Sequence, residues 1–184
     1  MHPYIHAQNH PDRAACIMAA SGEVVTYREL DARSNQGAHL FRSLGLEVGD
    51  VVAVFMENTA RYFDVAWAAN RSGLYLTCIS SKLSTSEVEY IVKDCGAKVL
   101  VAGASLRPVL DELKDRLPGV RILVIGDTGG AYESYDAAVE GLPTTPIAGE
   151  TTGADMLYSS GTTGRPKGVK GPLSGQPIEA PTPW

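Results

Sequence analysis

The chain has 184 residues, 44% of them hydrophobic and 20% charged, which suits one globular domain with a sizeable buried core. Its net charge of −5 argues against a nucleic-acid binder, whose surface would be basic, but not against a locally positive loop that holds one nucleotide. No apolar run reaches the length of a membrane span, and the start MHPYIHAQNHPDRAACIMAA lacks the basic head and apolar core of a secretory leader, so a cytoplasmic protein is expected.

His2, His6 and His10 fall in the first stretch of chain, which reads as a frayed, solvated segment; without an HExxH pattern, their spacing of four makes metal binding the lesser reading. Cys16–Ala20 and Glu23–Thr26 flank Ser21-Gly22 and read as a short hairpin. Thr26 with Glu29 forms a capping box, Val25 and Leu30 its hydrophobic staple, and the helix they start runs to Leu44, with Gly45 as its stop. Cys16, Cys78 and Cys95 form no CxxC pair and read as reduced, mostly buried thiols.

Beyond Gly49-Asp50 come four short apolar runs rich in β-formers: Val51–Phe55, Tyr75–Ile79, Lys98–Ala102 and Arg121–Ile125. Helical stretches at Ala60–Arg71, Ser86–Asp94 and Leu106–Arg116 separate them. Asn58-Thr59 reads as the N-cap of the first, and Tyr62 and Trp67 on it as core or interface residues. Ser84 and Glu87 form a second capping box with Leu83 and Val88 as staple, so Glu87 and Glu89 read as capping and solvating groups. The alternation predicts an α/β fold: a mainly parallel sheet with helices on both faces. Asp127–Gly153 is looser, with a short helix at Tyr132–Val139, and Asp155–Ser160 reads as one more strand. After Val169 the proline-rich KGPLSGQPIEAPTPW has no apolar periodicity and reads as a tail or linker.

The last strand runs straight into SSGTTGRPKGV, Ser159 to Val169. Gly161, Gly164 and Gly168 permit tight turns and close approach to a ligand. Successive backbone N–H groups in such a loop form a nest that favours anions. Ser159, Ser160, Thr162 and Thr163 add donors, Lys167 and Arg165 positive charge, and Pro166 restrains the turn. At the end of a buried parallel strand these parts suit a polyphosphate. The spacing is neither the Walker GxxxxGK[ST] nor the dinucleotide GxGxxG, and a glycine-rich surface turn is the bland alternative.

Tyr158 through Gly168 resembles the phosphate-loop signature of the adenylate-forming (AMP-binding) superfamily, [YF]-x-SG[ST][ST]G-x-PKG. VVTYREL at Val24–Leu30 resembles an early segment of the same family, and KLSTSEVEYIVKDCGAKVLV looks like its acyl- and aryl-CoA synthetase branch; the resemblance spans residues 6 to 169. It implies the first subdomain of the N-terminal domain, with 1–170 as a partial AMP-binding domain and 171–184 as a tail or the start of a further segment. It also implies a two-step, AMP-forming acid–CoA ligase. A carboxylate attacks the α-phosphorus of ATP, and the coenzyme A thiol then displaces AMP from the acyl-adenylate. By motif match, Ser159, Ser160, Gly161, Thr162, Thr163, Gly164 and Lys167 form the ATP phosphate site, with Mg²⁺ assisting and its protein ligands unassigned. The family's THxN stretch after the loop, its YGxTE segment, its ribose-binding aspartate and its catalytic lysine have no counterpart in this sequence. The expectation is therefore a fragment that holds the clamp but no catalytic residue. On its own it would be a weak nucleotide binder or an inert scaffold, able to associate through apolar surface on the last strand.

Overall fold

The computed structural model describes residues 2–159 and 165–180. Its first element, α1 (Pro3–Asn9), corrects the expectation of a frayed start. His2 caps that helix by accepting from the Tyr4 N–H, is 5% exposed, and sets its ring edge-on to Trp67 at 4.9 Å; His6 lies 4.8 Å from the Tyr27 ring. Aromatic burial thus orders a segment whose polar residues suggested solvent.

Next, β1 (Ala14–Ile17) and β2 (Val24–Thr26) form the expected antiparallel hairpin, pairing earlier along the first strand than its apolar run suggested. In α2 (Tyr27–Ser43) both halves of the Thr26–Glu29 capping box are made, Val25 and Leu30 share a buried cluster, and Gly45 at φ +77° ends the helix.

There follow β3 (Val51–Phe55), α3 (Arg61–Arg71), β4 (Tyr75–Ile79), α4 (Thr85–Asp94) and β5 (Ala97–Gly103). A short 3₁₀ turn leads into α5 (Arg107–Leu113), then come β6 (Arg121–Ile125), β7 (Glu133–Ser134) and α6 (Tyr135–Val139). β8 (Ala154–Ser159) and β9 (Lys167–Lys170) complete the described elements. The Ser84–Glu87 box of α4 is made, but the cap expected at Asn58-Thr59 is not. The chain makes one more turn there, Tyr62 N–H to the Thr59 carbonyl, and Ala60, which offers no capping side chain, takes the N-cap. Only Cys95 of the three cysteines is buried; Cys16 is half-buried and Cys78, near the end of β4, is exposed.

Among the described residues seven strands form one sheet in the order β7-β6-β5-β3-β4-β8-β9, parallel throughout except for the β8–β9 pair. Alternate residues feed two cores. Val51, Ala53, Phe55, Tyr75, Ile79 and Leu100 face α4 and α5, while Val52, Val54, Leu76, Val99 and Val101 face α2, α3 and α6. Burial on both faces is why the strands read as unbroken apolar runs.

The loose stretch before β8 is tied to α2 by side chains: Asn35 donates to the Thr144 carbonyl and Gln36 to those of Val139 and Leu142. Arg71, fully buried at the end of α3, ties the same stretch more firmly. It donates to Asp31 Oδ1 at 2.8 Å and to Ser34 Oγ at 3.1 Å, and pairs with Glu150 at 2.9 Å, a contact too bent for a hydrogen bond. Residues 171–180, expected as a tail, form no helix or strand but lie against the start of β8. The Gln176 carbonyl accepts from the Thr152 N–H at 2.8 Å, and Ile178 is 2% exposed.

Candidate functional site

The strands β3, β4 and β8 end on the same edge of the sheet, because all three are parallel. The chain leaves β3 for α3 on one face and β4 for α4 on the other. Crevices at such carboxyl edges are where open α/β sheets take ligands.

Two grooves occupy this edge. One, of about 500 Å³, lies beyond the ends of β3 and β4 and is lined by Glu57, Asn58, Tyr62, Cys78, Ser80 and Lys82 among others. The second, of about 390 Å³, lies between the end of β4 and the loop stem, lined by Ile79, Ser80, Leu83, Glu87, Tyr158 and Ser159 among others. They share Cys78, Ile79 and Ser80, so they form one run of surface. A larger hollow of about 640 Å³ lies outside α4, lined by the carboxylates of Glu87, Glu89 and Asp94 and by the cations Lys93 and Arg165. Its lining is net negative, whereas each strand-end groove balances one carboxylate with one cation, Glu57 with Lys82 and Glu87 with Arg165, which makes the strand-end grooves the better site for a polyphosphate.

The second groove exists because β8 parts from β4. Their pairing covers only Tyr75↔Ala154 and Leu76↔Asp155. Beyond that, β8 pairs with β9 instead: Met156↔Lys170, Leu157↔Val169, Tyr158↔Gly168 and Ser159↔Lys167. Two expected phosphate-site residues, Ser159 and Lys167, are therefore direct cross-strand partners at the mouth of the loop, both exposed. Directly opposed residues of an antiparallel pair point to the same face. Ser160, Gly161, Thr162, Thr163 and Gly164 lie outside the described residues.

On the opposite face, Tyr158 donates its hydroxyl to Asp94 Oδ2 at 2.6 Å; burial and that bond raise its pKa well above the ordinary phenol value. Gly168, expected to let the backbone approach a ligand, also has a packing reason. A Cβ there would meet Met156 Cε at 2.7 Å and the Tyr158 ring and hydroxyl at 2.9 Å. Leu157 and Val169, on the face shared with Ser159 and Lys167, are 59% and 63% exposed.

Sequence reading missed the groove residues Glu57, Asn58 and Ser80–Lys82. The available signal was polar residues just after two of the apolar runs, ENT after Met56 and SSK after Ile79, since strand ends of this fold carry the ligand side chains. Among the described residues no group of three or more His, Cys, Asp or Glu side chains is arranged to hold a metal, and no helix is long and apolar enough to cross a membrane.

A family model described as "AMP-binding enzyme" matches residues 4–171. The fatty acid–[acyl-carrier-protein] ligase ScoC of Streptomyces coeruleorubidus is 30% identical over 89% of this chain and 31% of its own length. The long-chain-fatty-acid–CoA ligase FadD13 of Mycobacterium tuberculosis is 33% identical over 86% of this chain and 32% of its own. A crystal structure of the anthranilate CoA ligase AuaEII with anthranoyl-AMP superposes with a TM-score of 0.78 at 28% identity, over 91% of this chain and 33% of that one. The chain spans about a third of the length of the relatives it matches.

Proposed function

The chain belongs to the AMP-binding enzyme family, and from that premise we propose that it carries the phosphate clamp of an AMP-forming acid–CoA ligase. The substrates in this reading are a carboxylic acid, ATP and coenzyme A, and the setting is the cytoplasm. A carboxylate oxygen attacks the α-phosphorus and pyrophosphate leaves; the thiol of coenzyme A then attacks the acyl carbon and AMP leaves. The observation that carries the reading is the pairing of Ser159 with Lys167 at the carboxyl edge of the sheet, which puts one hydroxyl and one ammonium on the same face of the loop's stem.

The clamp's task is electrostatic. Charge moves onto the leaving pyrophosphate, and preorganised donors stabilise it without needing to reorganise. Ser160, Gly161, Thr162, Thr163 and Gly164 would contact the β- and γ-phosphates, with Ser159 at the loop's start and Lys167 as the neutralising charge. Mg²⁺, where it takes part, would ride on the nucleotide's own phosphates; the reading gives it no ligand in this chain. Nor does it give the chain a catalytic residue, so the 184 residues bind nucleotide without turnover.

Calorimetric titration with ATP tests this. The expected result is measurable binding that Lys167→Ala weakens by roughly 10- to 100-fold, the range for losing a charged hydrogen-bonding partner, with no ATP–pyrophosphate exchange by either form. Unchanged affinity in Lys167→Ala would sink the clamp. Exchange by the 184-residue chain would overturn its assignment as a non-catalytic binder.

A further inference from the structure

We propose that α4 braces the two arms of the loop, with Asp94 positioning Tyr158 on the incoming arm and Tyr90 positioning Arg165 and Pro166 on the outgoing one; their importance for ligand binding rests on the phosphate-clamp reading. Among the described residues the β8–β9 ribbon has no further pairing to β4 after Leu76↔Asp155, and β9 is the last strand in the sheet. A two-stranded ribbon alone is marginally stable in water, so something beside it must hold its tip.

Near its base the ribbon is held through Tyr75, whose hydroxyl donates to the Gly171 carbonyl at 2.6 Å and whose ring carries the Lys170 ammonium at 4.2 Å. Near the loop, α4 takes over. Asp94 accepts from Tyr158 on the incoming strand at 2.6 Å. Tyr90 donates to the Pro166 carbonyl just before the outgoing strand at 3.2 Å, and the Arg165 guanidinium sits 5.3 Å above its ring. Tyr90 and Asp94 are four residues apart, hence on one helix face, and each grips a different arm of the loop. The spacing of the two arms is thereby set by a helix whose own start is fixed by the Ser84–Glu87 capping box. Holding both arms lowers the ordering cost of ligand capture, which is how a positioning residue adds affinity without touching the ligand.

The test measures amide hydrogen exchange and tripolyphosphate affinity in Tyr90→Phe, which keeps the ring under Arg165, and in Tyr90→Leu, which removes both contacts. Exchange in β8 and β9 should rise about threefold to tenfold in Tyr90→Phe and more in Tyr90→Leu, while β3 and β5 stay protected. Tripolyphosphate affinity should fall in the same order, and fall little further when either variant is added to Lys167→Ala, since a brace acts through the clamp. Unchanged ribbon exchange, or an equal rise in β3 and β5, overturns the brace. If the unaltered chain ignores tripolyphosphate while Tyr90→Leu still loosens the ribbon, the brace stands and the phosphate reading falls. Tripolyphosphate binding that is indifferent to both variants has the opposite meaning.

Discussion

Replacing Arg71 by methionine should be among the most damaging single changes in the chain. Arg71 is fully buried, and its partners Asp31 and Glu150 have side chains only 17% and 13% exposed. The methionine fills much of the volume but leaves two carboxylates facing each other without a cation. Removing one member of a buried ion network costs about 3–5 kcal/mol, against a total stability of roughly 5–15 kcal/mol for a domain. Urea unfolding followed by circular dichroism would measure the loss. The deficit should also depend on pH in a stated direction. Burial already raises the Glu150 pKa, and Arg71 is the group that pulls it down most. Without Arg71 the folded state binds a proton at Glu150 more readily than the unfolded state, so acidification favours the fold of the variant. Its deficit should therefore shrink as pH falls from neutral toward 5. Replacing Asp31 and Glu150 by leucine as well should recover much of the loss, because no charge is then stranded. A deficit below about 1 kcal/mol, or one that grows on acidification, would refute the account of the cluster as a desolvated ion network.

Other changes test other parts. Burial, helped by Arg71, holds the His2 pKa near 3 against an ordinary 6.5, so the folded chain refuses a proton that the unfolded chain accepts. The stability this contributes is complete above pH 6.5 and is lost as pH falls toward 3, amounting to about 2 kcal/mol by pH 5. Asp64 works with the opposite sign over part of this window, because burial against the pull of Arg61 raises its carboxyl to about 6. The His2 contribution is therefore read as the difference in unfolding free energy between the natural chain and His2→Asn; a difference flat with pH would contradict it. Gly168→Ala drives a methyl into Tyr158, and should cost about 1–3 kcal/mol by overpacking while weakening ATP binding in titration. Thr26→Ala removes a cap far from the loop: thermal unfolding should show a loss of about 1 kcal/mol, with ATP affinity unchanged.

Much of the fold was legible because its determinants are local. Capping boxes at Thr26 and Ser84 announce helix starts through residues three apart, and strands buried on both faces announce themselves as apolar runs. The departures arise where a distant contact decides. His2 and its neighbours look solvated until Trp67 and Tyr27 are brought against them. Asn58 looks like a cap until one more turn moves the helix start past it. Leu106–Arg116 is interrupted at both ends, with a 3₁₀ turn before Arg107 and turns after Leu113.

The same division runs through the candidate site. The loop was visible because its residues are contiguous, and contiguity is what a motif records. Its stem was not, since Ser159 and Lys167 meet only through the register of a ribbon, and the helix beside that ribbon precedes it by some seventy residues. Tyr90 and Asp94 fall within the helical stretch read at Ser86–Asp94, and nothing in their spacing distinguishes a brace from a packing face. Gly168 makes the point at a single atom. In the motif it reads as room for a ligand, yet across the ribbon it is room for Tyr158, and Tyr158 reaches Asp94 only because that room exists. A glycine selected for backbone approach and one selected for a neighbouring ring look identical in sequence. They differ in what alanine does: the first loses ligand affinity with the fold intact, whereas the second loosens the ribbon whether or not a ligand is present.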